Sequence, residues 1–160
     1  MIILALDQSY AATGMVVISD KSILFSETIR FLKEANFAKR EKLRQTIKKL
    51  VKQFSPELII VERVRLFSYN HVSLIVIRRL SELVALVVDS AQVGNSIPVK
   101  SVDTRSWKKA ILGRASAQRN DVIKFAIGYG ISDADEHMAS ALCMALSYFV
   151  SNVNFILESV

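Results

Sequence analysis

The chain has 160 residues, of which 51% are hydrophobic and 22% charged, and these values exclude a disordered tail and predict a single compact domain over residues 1–160. Lys and Arg outnumber Asp and Glu by 21 to 15, which gives a net charge of +6. This surplus suggests a polyanionic partner such as nucleic acid, although ordinary solubility charge explains it equally well. The single cysteine, Cys143, excludes a disulfide within the chain.

The first third of the chain is predicted to form three antiparallel strands and a helix. Residues 2–6 are a continuous apolar run, as in a strand buried on both faces, and Asp7 ends it. That early charge argues against a signal peptide. Two further strands, 15–18 and 23–31, flank a turn. Residues 34–54 have helical periodicity and a basic outer face.

The rest of the chain predicts two more strands separated by helices. Residues 58–61 form a buried strand that Glu62 ends, and residues 97–102 form the fifth strand. The apolar helix 72–88 lies between them and contains charged residues, so it indicates a buried helix and not a membrane span. Helices follow over residues 104–112, 116–127 and 134–150. The prediction is an α/β domain whose mixed five-stranded sheet, three antiparallel strands plus two parallel ones, is flanked by helices.

Asp7 and Glu62 both end a predicted buried strand and are therefore expected at the carboxyl edge of the sheet, where open α/β sheets bind ligands. Two carboxylates held close repel each other unless a cation lies between them. Hard divalent cations such as Mg²⁺ suit such oxygens. Each acid alone is explained equally well as a turn residue or a helix cap, but the pair favours a metal site.

Further ligands are expected at the start of the last helix, which reads DADEHMASA over residues 133–141. Acids at a helix N-terminus also have an ordinary explanation, because they interact favourably with the helix dipole. Four metal-capable side chains within five positions are nevertheless unusual. Residues three or four apart share a helix face, and the candidates are Asp133, Asp135, Glu136, His137 and Ser140.

These motifs resemble the RuvC family of Holliday-junction resolvases in the ribonuclease H-like superfamily, and its phage-encoded members in particular. The family's first motif is an Asp at the end of strand one with Thr-Gly six positions later, matched at residues 7–14. Its second motif is an apolar strand ending in Glu, matched at 59–62, followed by an aromatic residue, here Phe67. The long helix 72–88 corresponds to the family's dimer helix. The basic stretch before the last helices corresponds to Trp107, Lys108, Lys109 and Arg119.

The family's last motif is only partly matched. The family has Asp or His, two residues, then Asp followed by Ala-Leu; here His137 fits, but Ser140 stands where the aspartate is expected. A register shifted by four residues places Asp133 and Glu136 at the two ligand positions. The Ala-Leu sequence favours the first register and the chemistry favours the second. Ser140 is either a natural divergence, compensated by Glu136 or Asp135, or an inactivating change made for study.

The resemblance implies a crossover junction endodeoxyribonuclease that nicks Holliday junctions, forks and other branched DNA by hydrolysis. Two Mg²⁺ or Mn²⁺ ions, roughly 3.5–4 Å apart, would activate a water and stabilise the leaving 3′ oxygen, and Lys108 or Lys109 would stabilise charge on the phosphate. The implied catalytic residues are Asp7, Glu62, Glu136, His137 and Lys108. The implied metal ligands are Asp7, Glu62, Asp133, Asp135, Glu136, His137 and the residue at position 140.

The resemblance also implies the partners. Phosphates would be contacted by Arg63, Arg65, Lys108, Lys109, Arg114 and Arg119. Phe67 and Tyr69 either stack on unpaired bases or make core contacts. A homodimer through helix 72–88 suits a two-fold junction. No membrane and no small-molecule cofactor is expected, and the location is the cytoplasm, that of the host if the chain is phage-encoded.

Two other functions compete with this interpretation. The first is a branched-DNA-binding protein whose cleavage is weakened or lost because Ser140 replaces an acidic ligand. The second is an actin-like or sugar-kinase-like ATPase, which also opens with a strand, an Asp and a Thr-Gly turn. Such ATPases need a much longer chain with two domains and a glycine-rich adenosine loop, and this sequence has neither.

Overall fold

The computed structural model describes residues 1–9, 11–31, 36–63, 74–92, 97–150 and 153–158, and their side chains except at positions 36, 74–80, 91, 92 and 158. In these ranges the chain forms one six-stranded sheet and helices on both its faces. The elements in chain order are β1 (Ile2–Gln8), β2 (Ala12–Ser19), β3 (Ser22–Arg30), α1 (Asn36–Phe54), β4 (Leu58–Glu62), α2 (Leu74–Gln92), β5 (Val99–Val102), α3 (Thr104–Leu112), α4 (Arg119–Tyr129), α5 (Glu136–Ser147) and β6 (Phe155–Glu158).

The sheet has the strand order β3-β2-β1-β4-β5-β6. Strands β1 to β3 pair antiparallel, and β4 and β5 continue the sheet parallel to β1. This confirms the predicted mixture of three antiparallel strands and two parallel ones. The predicted number of strands is wrong, because β6 adds a sixth strand antiparallel to β5. Ile156 and Leu157 of this short edge strand are exposed, so β6 lacks the buried alternation from which a strand is recognised.

Both faces of the sheet are covered, which explains the continuous apolar runs of β1 and β4. Successive side chains of a strand point to opposite faces. Ile3 and Ala5 belong to the core cluster that contains residues of α3, α4 and α5, whereas Leu4 and Leu6 belong to the cluster with residues of α1 and α2. We call these the α5 face and the α2 face. The same alternation directs Asp7 to the α5 face at the carboxyl end of β1.

Helix α2 corresponds to the predicted helix 72–88, although it runs from Leu74 to Gln92 and positions 72 and 73 lie outside the described residues. Leu86, Val87 and Val88 are buried in the core of the α2 face. Within the part of the chain that the structure describes, no helix is both long and apolar enough to cross a membrane.

Gly14 allows α5 to lie directly against the sheet. Gly14 of β2 is the register partner of Asp7 of β1. A Cβ atom at this position would lie 2.2 Å from the carbonyl carbon of His137 and 2.3 Å from its oxygen. These are backbone atoms and cannot move aside without shifting the helix. Gly14 therefore places the first turn of α5 next to Asp7.

We expect Gly14→Ala to destabilise the fold by more than about 3 kcal/mol, because the added methyl overlaps the α5 backbone. Gly128→Ala is the matched control. Gly128 lies in α4, and apart from its chain neighbours and the backbone of its own helix no atom of the described residues lies within 4 Å of the position that a Cβ would take there. That change should therefore raise stability by up to about 1 kcal/mol. Urea unfolding of the two variants measures both effects. Equal stabilities of the two variants would contradict the close approach of the α5 backbone to Gly14.

Candidate active site

Asp7 and His137 form the centre of the candidate site. Asp7 is only 7% exposed at the end of β1, and its Oδ2 lies 2.8 Å from Nδ1 of His137 in the first turn of α5. Burial raises the pKa of Asp7, although the hydrogen bond with His137 opposes that rise. The same hydrogen bond raises the pKa of His137. Both shifts favour a proton held between the two side chains.

Glu62 reaches the same region from the neighbouring parallel strand. Its Oε1 accepts hydrogen bonds from Thr104 Oγ1 at 2.6 Å and from Trp107 Nε1 at 3.2 Å. These two donors lie three residues apart on α3 and therefore share a helix face. Burial raises the pKa of Glu62, and the charge of Asp7 raises it further. The two acids thus lie close enough to repel each other electrostatically.

Helix α3, which carries both donors to Glu62, is capped at its N-terminus. Asp103 caps the helix, and its carboxylate accepts hydrogen bonds from the backbone N–H groups of Arg105 and Ser106. Trp107 is buried in the core of the α5 face. The sequence patterns placed Trp107 in a basic DNA-binding stretch and gave no role to Thr104. An Asp-Thr pair directly after β5, at the same sheet edge as Glu62, is the signal that could have found them.

Asp135 is the N-cap of α5 and is turned toward β3. It accepts hydrogen bonds from Met138 N at 2.9 Å, Thr28 Oγ1 at 2.8 Å and Arg30 at 2.7 Å. Burial would raise the pKa of Asp135, but these donors and the charge of Arg30 outweigh burial and lower it. Asp135 therefore ties the start of α5 to β3, which agrees with the ordinary explanation, an acid at a helix N-terminus, that the sequence also offered.

The other predicted ligands of this segment differ in burial and in partners. Glu136 forms an ion pair with Arg119 at 3.1 Å, and its charge contributes to the raised pKa of Asp7. Asp133 is exposed in the turn before the helix. Ser140 is buried one helical turn after His137. Because His137 contacts Asp7 directly, the geometry favours the register that pairs His137 with Ser140.

A complete metal cage is not present among the described side chains: no three His, Cys, Asp or Glu residues there are grouped so as to hold an ion. What the structure does bring together is one carboxylate–imidazole pair, Asp7 with His137, and a second carboxylate, Glu62, that interacts electrostatically with Asp7. Oxygen and imidazole donors with unbalanced negative charge have the chemistry that suits a divalent cation.

The predicted phosphate-contacting residues lie in several places. Lys108 donates to the Ala117 carbonyl at 3.0 Å and lowers the pKa of Glu62 by its charge, so it lies beside the site. Arg114 pairs with Asp121 at 2.7 Å, and Lys109 is exposed. Arg63 points to the α2 face, where its Nε lies 3.5 Å from Ser101 Oγ. Arg65, Phe67 and Tyr69 lie outside the described residues.

Comparison with known proteins extends over almost the whole chain. The family model for crossover junction endodeoxyribonuclease RuvC matches residues 3–148. The structure of Thermus thermophilus RuvC is similar, with a TM-score of 0.77 and 16% identity, covering 98% of this chain and 100% of that one. T. thermophilus RuvC in complex with a Holliday junction substrate gives a TM-score of 0.76 and 18% identity, covering 98% and 99%.

At these identities, the structural likeness shows the fold alone, and it confirms the predicted ribonuclease H-like architecture. The family match confirms the resemblance that the sequence motifs indicated. A comparison with curated protein sequences gives no significant match.

Asp135→Asn should lower the free energy of unfolding at pH 7 by about 1–2 kcal/mol, because it removes the charge that Arg30 and the helix terminus stabilise. The pKa of Asp135 is lowered in the folded state, so its stabilisation is present above the unfolded value of about 3.9 and is lost as pH falls through the folded value. The deficit of the variant should therefore shrink toward pH 3.

Urea unfolding at pH 7 and pH 3 measures this difference. Asp133→Asn, two residues away and exposed, is the control and should behave as the unmodified protein at both pH values. A deficit for Asp135→Asn that is the same at pH 7 and pH 3 would show that its charge does not hold α5.

Proposed function

This chain belongs to the crossover junction endodeoxyribonuclease RuvC family, and from that membership we propose that it nicks Holliday junctions and other branched DNA by divalent-metal-dependent hydrolysis of a phosphodiester. The observation that carries the proposal is the pair of acids at one edge of the sheet. Asp7 and Glu62 end neighbouring parallel strands on the same face, and each has a raised pKa. Such a pair is stabilised when a cation neutralises it.

The residues present fit a divalent ion by their chemistry. Asp7 and Glu62 offer hard carboxylate oxygens and His137 an imidazole nitrogen, donors that suit Mg²⁺ or Mn²⁺. We propose that a bound ion would draw these three side chains together, since the described side chains are not grouped as a complete metal site without it, with Glu136 and the residue at position 140 next to them on α5. Two bound ions would supply water activation and stabilisation of the leaving oxygen.

The protein's own groups prepare this site in two ways. Thr104 and Trp107 both donate to Oε1 of Glu62, which fixes the orientation of the carboxylate. Asp7 and His137 share a hydrogen bond, and as metal ligands the carboxylate would be ionised and the imidazole neutral. Ligand binding is thus coupled to the protonation state of this pair.

Basic side chains beside the carboxylates supply the contact with DNA in this proposal. Lys108 is one such candidate, because its charge lowers the pKa of Glu62. Arg114 and Arg119 have side chains that are 61% and 65% exposed despite their ion pairs, and Lys109 is exposed on α3. These cations would bind backbone phosphates without reading sequence. The net charge of +6 supports such a partner.

We propose further that the active form is a homodimer. A Holliday junction is two-fold symmetric, and its resolution needs two symmetric nicks, which suits a symmetric pair of active sites. Helix α2 is the candidate interface, as the correspondence of residues 72–88 with the family's dimer helix implies.

The purified protein should nick a synthetic four-way junction in the presence of Mg²⁺ or Mn²⁺. Glu62→Gln should reduce nicking by at least about 100-fold, because it removes a charged ligand, while binding of the junction persists. Glu57→Gln is the matched control. It is the same substitution at the opposite end of β4, where Glu57 accepts a hydrogen bond from Ile2 N, and nicking should be retained. Gel assays of cleavage and binding distinguish these outcomes.

The proposal is overturned if the unmodified protein binds a four-way junction no better than linear duplex. It is equally overturned if nicking proceeds in excess chelator, or if Glu62→Gln cleaves as fast as Glu57→Gln.

The second candidate function is junction binding with weakened cleavage, and Ser140 is the observation that favours it. A neutral hydroxyl is buried one turn after His137, where the family motif has an aspartate. If this residue limits cleavage, Ser140→Asp should raise the nicking rate about tenfold or more, as expected for a restored ligand. Glu62→Gln in the same background should abolish the gain. An unchanged rate at saturating Mn²⁺ would exclude Ser140 as the limiting residue.

A further inference from the structure

We propose that Gln8 is a positioning residue that sets the spacing between Asp7 and Glu62. This inference rests on the proposed function, in which the two carboxylates share a divalent ion. Gln8 directly follows Asp7, and its side-chain amide Nε2 donates to the main-chain carbonyl of Glu62 at 2.9 Å. The bond therefore connects the two strand ends that carry the acids.

The ladder between β1 and β4 ends just before the acids. The last pair in register is Leu6 with Val61. Beyond it, β1 continues to pair outward with β2, through Gln8 and Thr13, and β4 continues outward with β5. Neighbouring strands are rotated relative to each other by the sheet twist. The strand ends beyond Leu6 and Val61 carry the acids and are not paired in register. They can therefore separate, and the Gln8 side chain bridges them.

The bridge lies on the opposite face of the sheet from the carboxylates. Side chains alternate along β1, so Gln8 lies on the α2 face together with Leu4 and Leu6. Gln8 therefore leaves the space around Asp7 and Glu62 open for a ligand. Its bond to the backbone of residue 62 acts on the position of the strand and not on the carboxylate itself.

The Gln8 amide is hydrogen-bonded through its nitrogen, whereas its oxygen has no partner among the residues that the structure describes. Gln8 is 7% exposed, and in the described part of the chain its Oε1 is buried without a hydrogen-bond partner. A buried polar atom without a partner is unfavourable. A hydrocarbon side chain of the same length would avoid this penalty but could not hold Glu62. A local rule broken in this way is characteristic of functional sites, and it makes the effects on stability and on function separable.

Thr13 provides a matched control for this test. It pairs with Gln8 in register and lies on the same face. It is fully buried, and within the described residues its Oγ1 also lacks a hydrogen-bond partner. Thr13→Val therefore removes an equally buried polar atom without touching the bond to Glu62.

The test compares Mn²⁺ affinity with stability in the full chain. Mn²⁺ binding is followed by the electron paramagnetic resonance signal of the free ion, and stability by urea unfolding without metal. Gln8→Met removes the unpaired Oε1 but also the hydrogen bond to the Glu62 carbonyl, and these two changes affect stability in opposite directions. The variant should bind Mn²⁺ about tenfold more weakly, the effect expected of a group that positions a ligand. Nicking should fall at low Mn²⁺ and recover at high Mn²⁺. Thr13→Val should gain stability and keep the Mn²⁺ affinity of the unmodified protein.

Each outcome has a distinct meaning. Unchanged Mn²⁺ affinity in Gln8→Met overturns the role of Gln8 and leaves the proposed function intact. Gln8→Asn, whose amide is one methylene too short to reach Glu62, is the second variant if Gln8→Met folds poorly, and unchanged affinity there overturns the inference as well. If the unmodified protein shows no Mn²⁺ binding that Glu62→Gln removes, the proposed metal site fails, and the role of Gln8 fails with it.

Discussion

The parallel pairing of β1 with β4 is the constraint on which the rest of the site depends. It brings the carboxyl ends of two buried strands side by side and directs Asp7 and Glu62 to the same face of the sheet. Burial raises the pKa of both acids, and the charge of Asp7 raises that of Glu62 further, so this edge of the sheet is electrostatically unfavourable without a counter-charge. His137 offsets part of this through its hydrogen bond to Asp7. A divalent cation would supply a counter-charge.

Several contacts around this pair hold it in one geometry. Gly14 admits the first turn of α5 against the sheet, and Asp135 ties that turn to β3. Thr104 and Trp107 hold Glu62 from α3. These groups lie on three different elements around the sheet edge, so the site is fixed from several directions. Rigid support of this kind is what a metal site needs from the residues behind its ligands.

Much of the fold could be predicted from the sequence because its signals are local. Continuous apolar runs predicted β1 and β4, and the acids that end these runs predicted the edge of the sheet at which the candidate site lies. The strand β6 was missed because its exposed edge position leaves no buried alternation. The roles of Thr104, Trp107 and Gln8 were also missed. Each depends on a contact between residues more than forty positions apart, and such contacts become visible only once the strands are paired.

The choice of ligand positions on α5 also depends on a contact between residues far apart in the sequence. Sequence spacing left two registers open, and the contact of His137 with Asp7 favours one of them. The central claim, that Asp7 and Glu62 share a divalent ion, is tested most directly by anomalous diffraction from a crystal soaked in Mn²⁺. A manganese peak within coordination distance of both carboxylates is expected. Carboxylates too far apart to share an ion, with no peak between them, would contradict it.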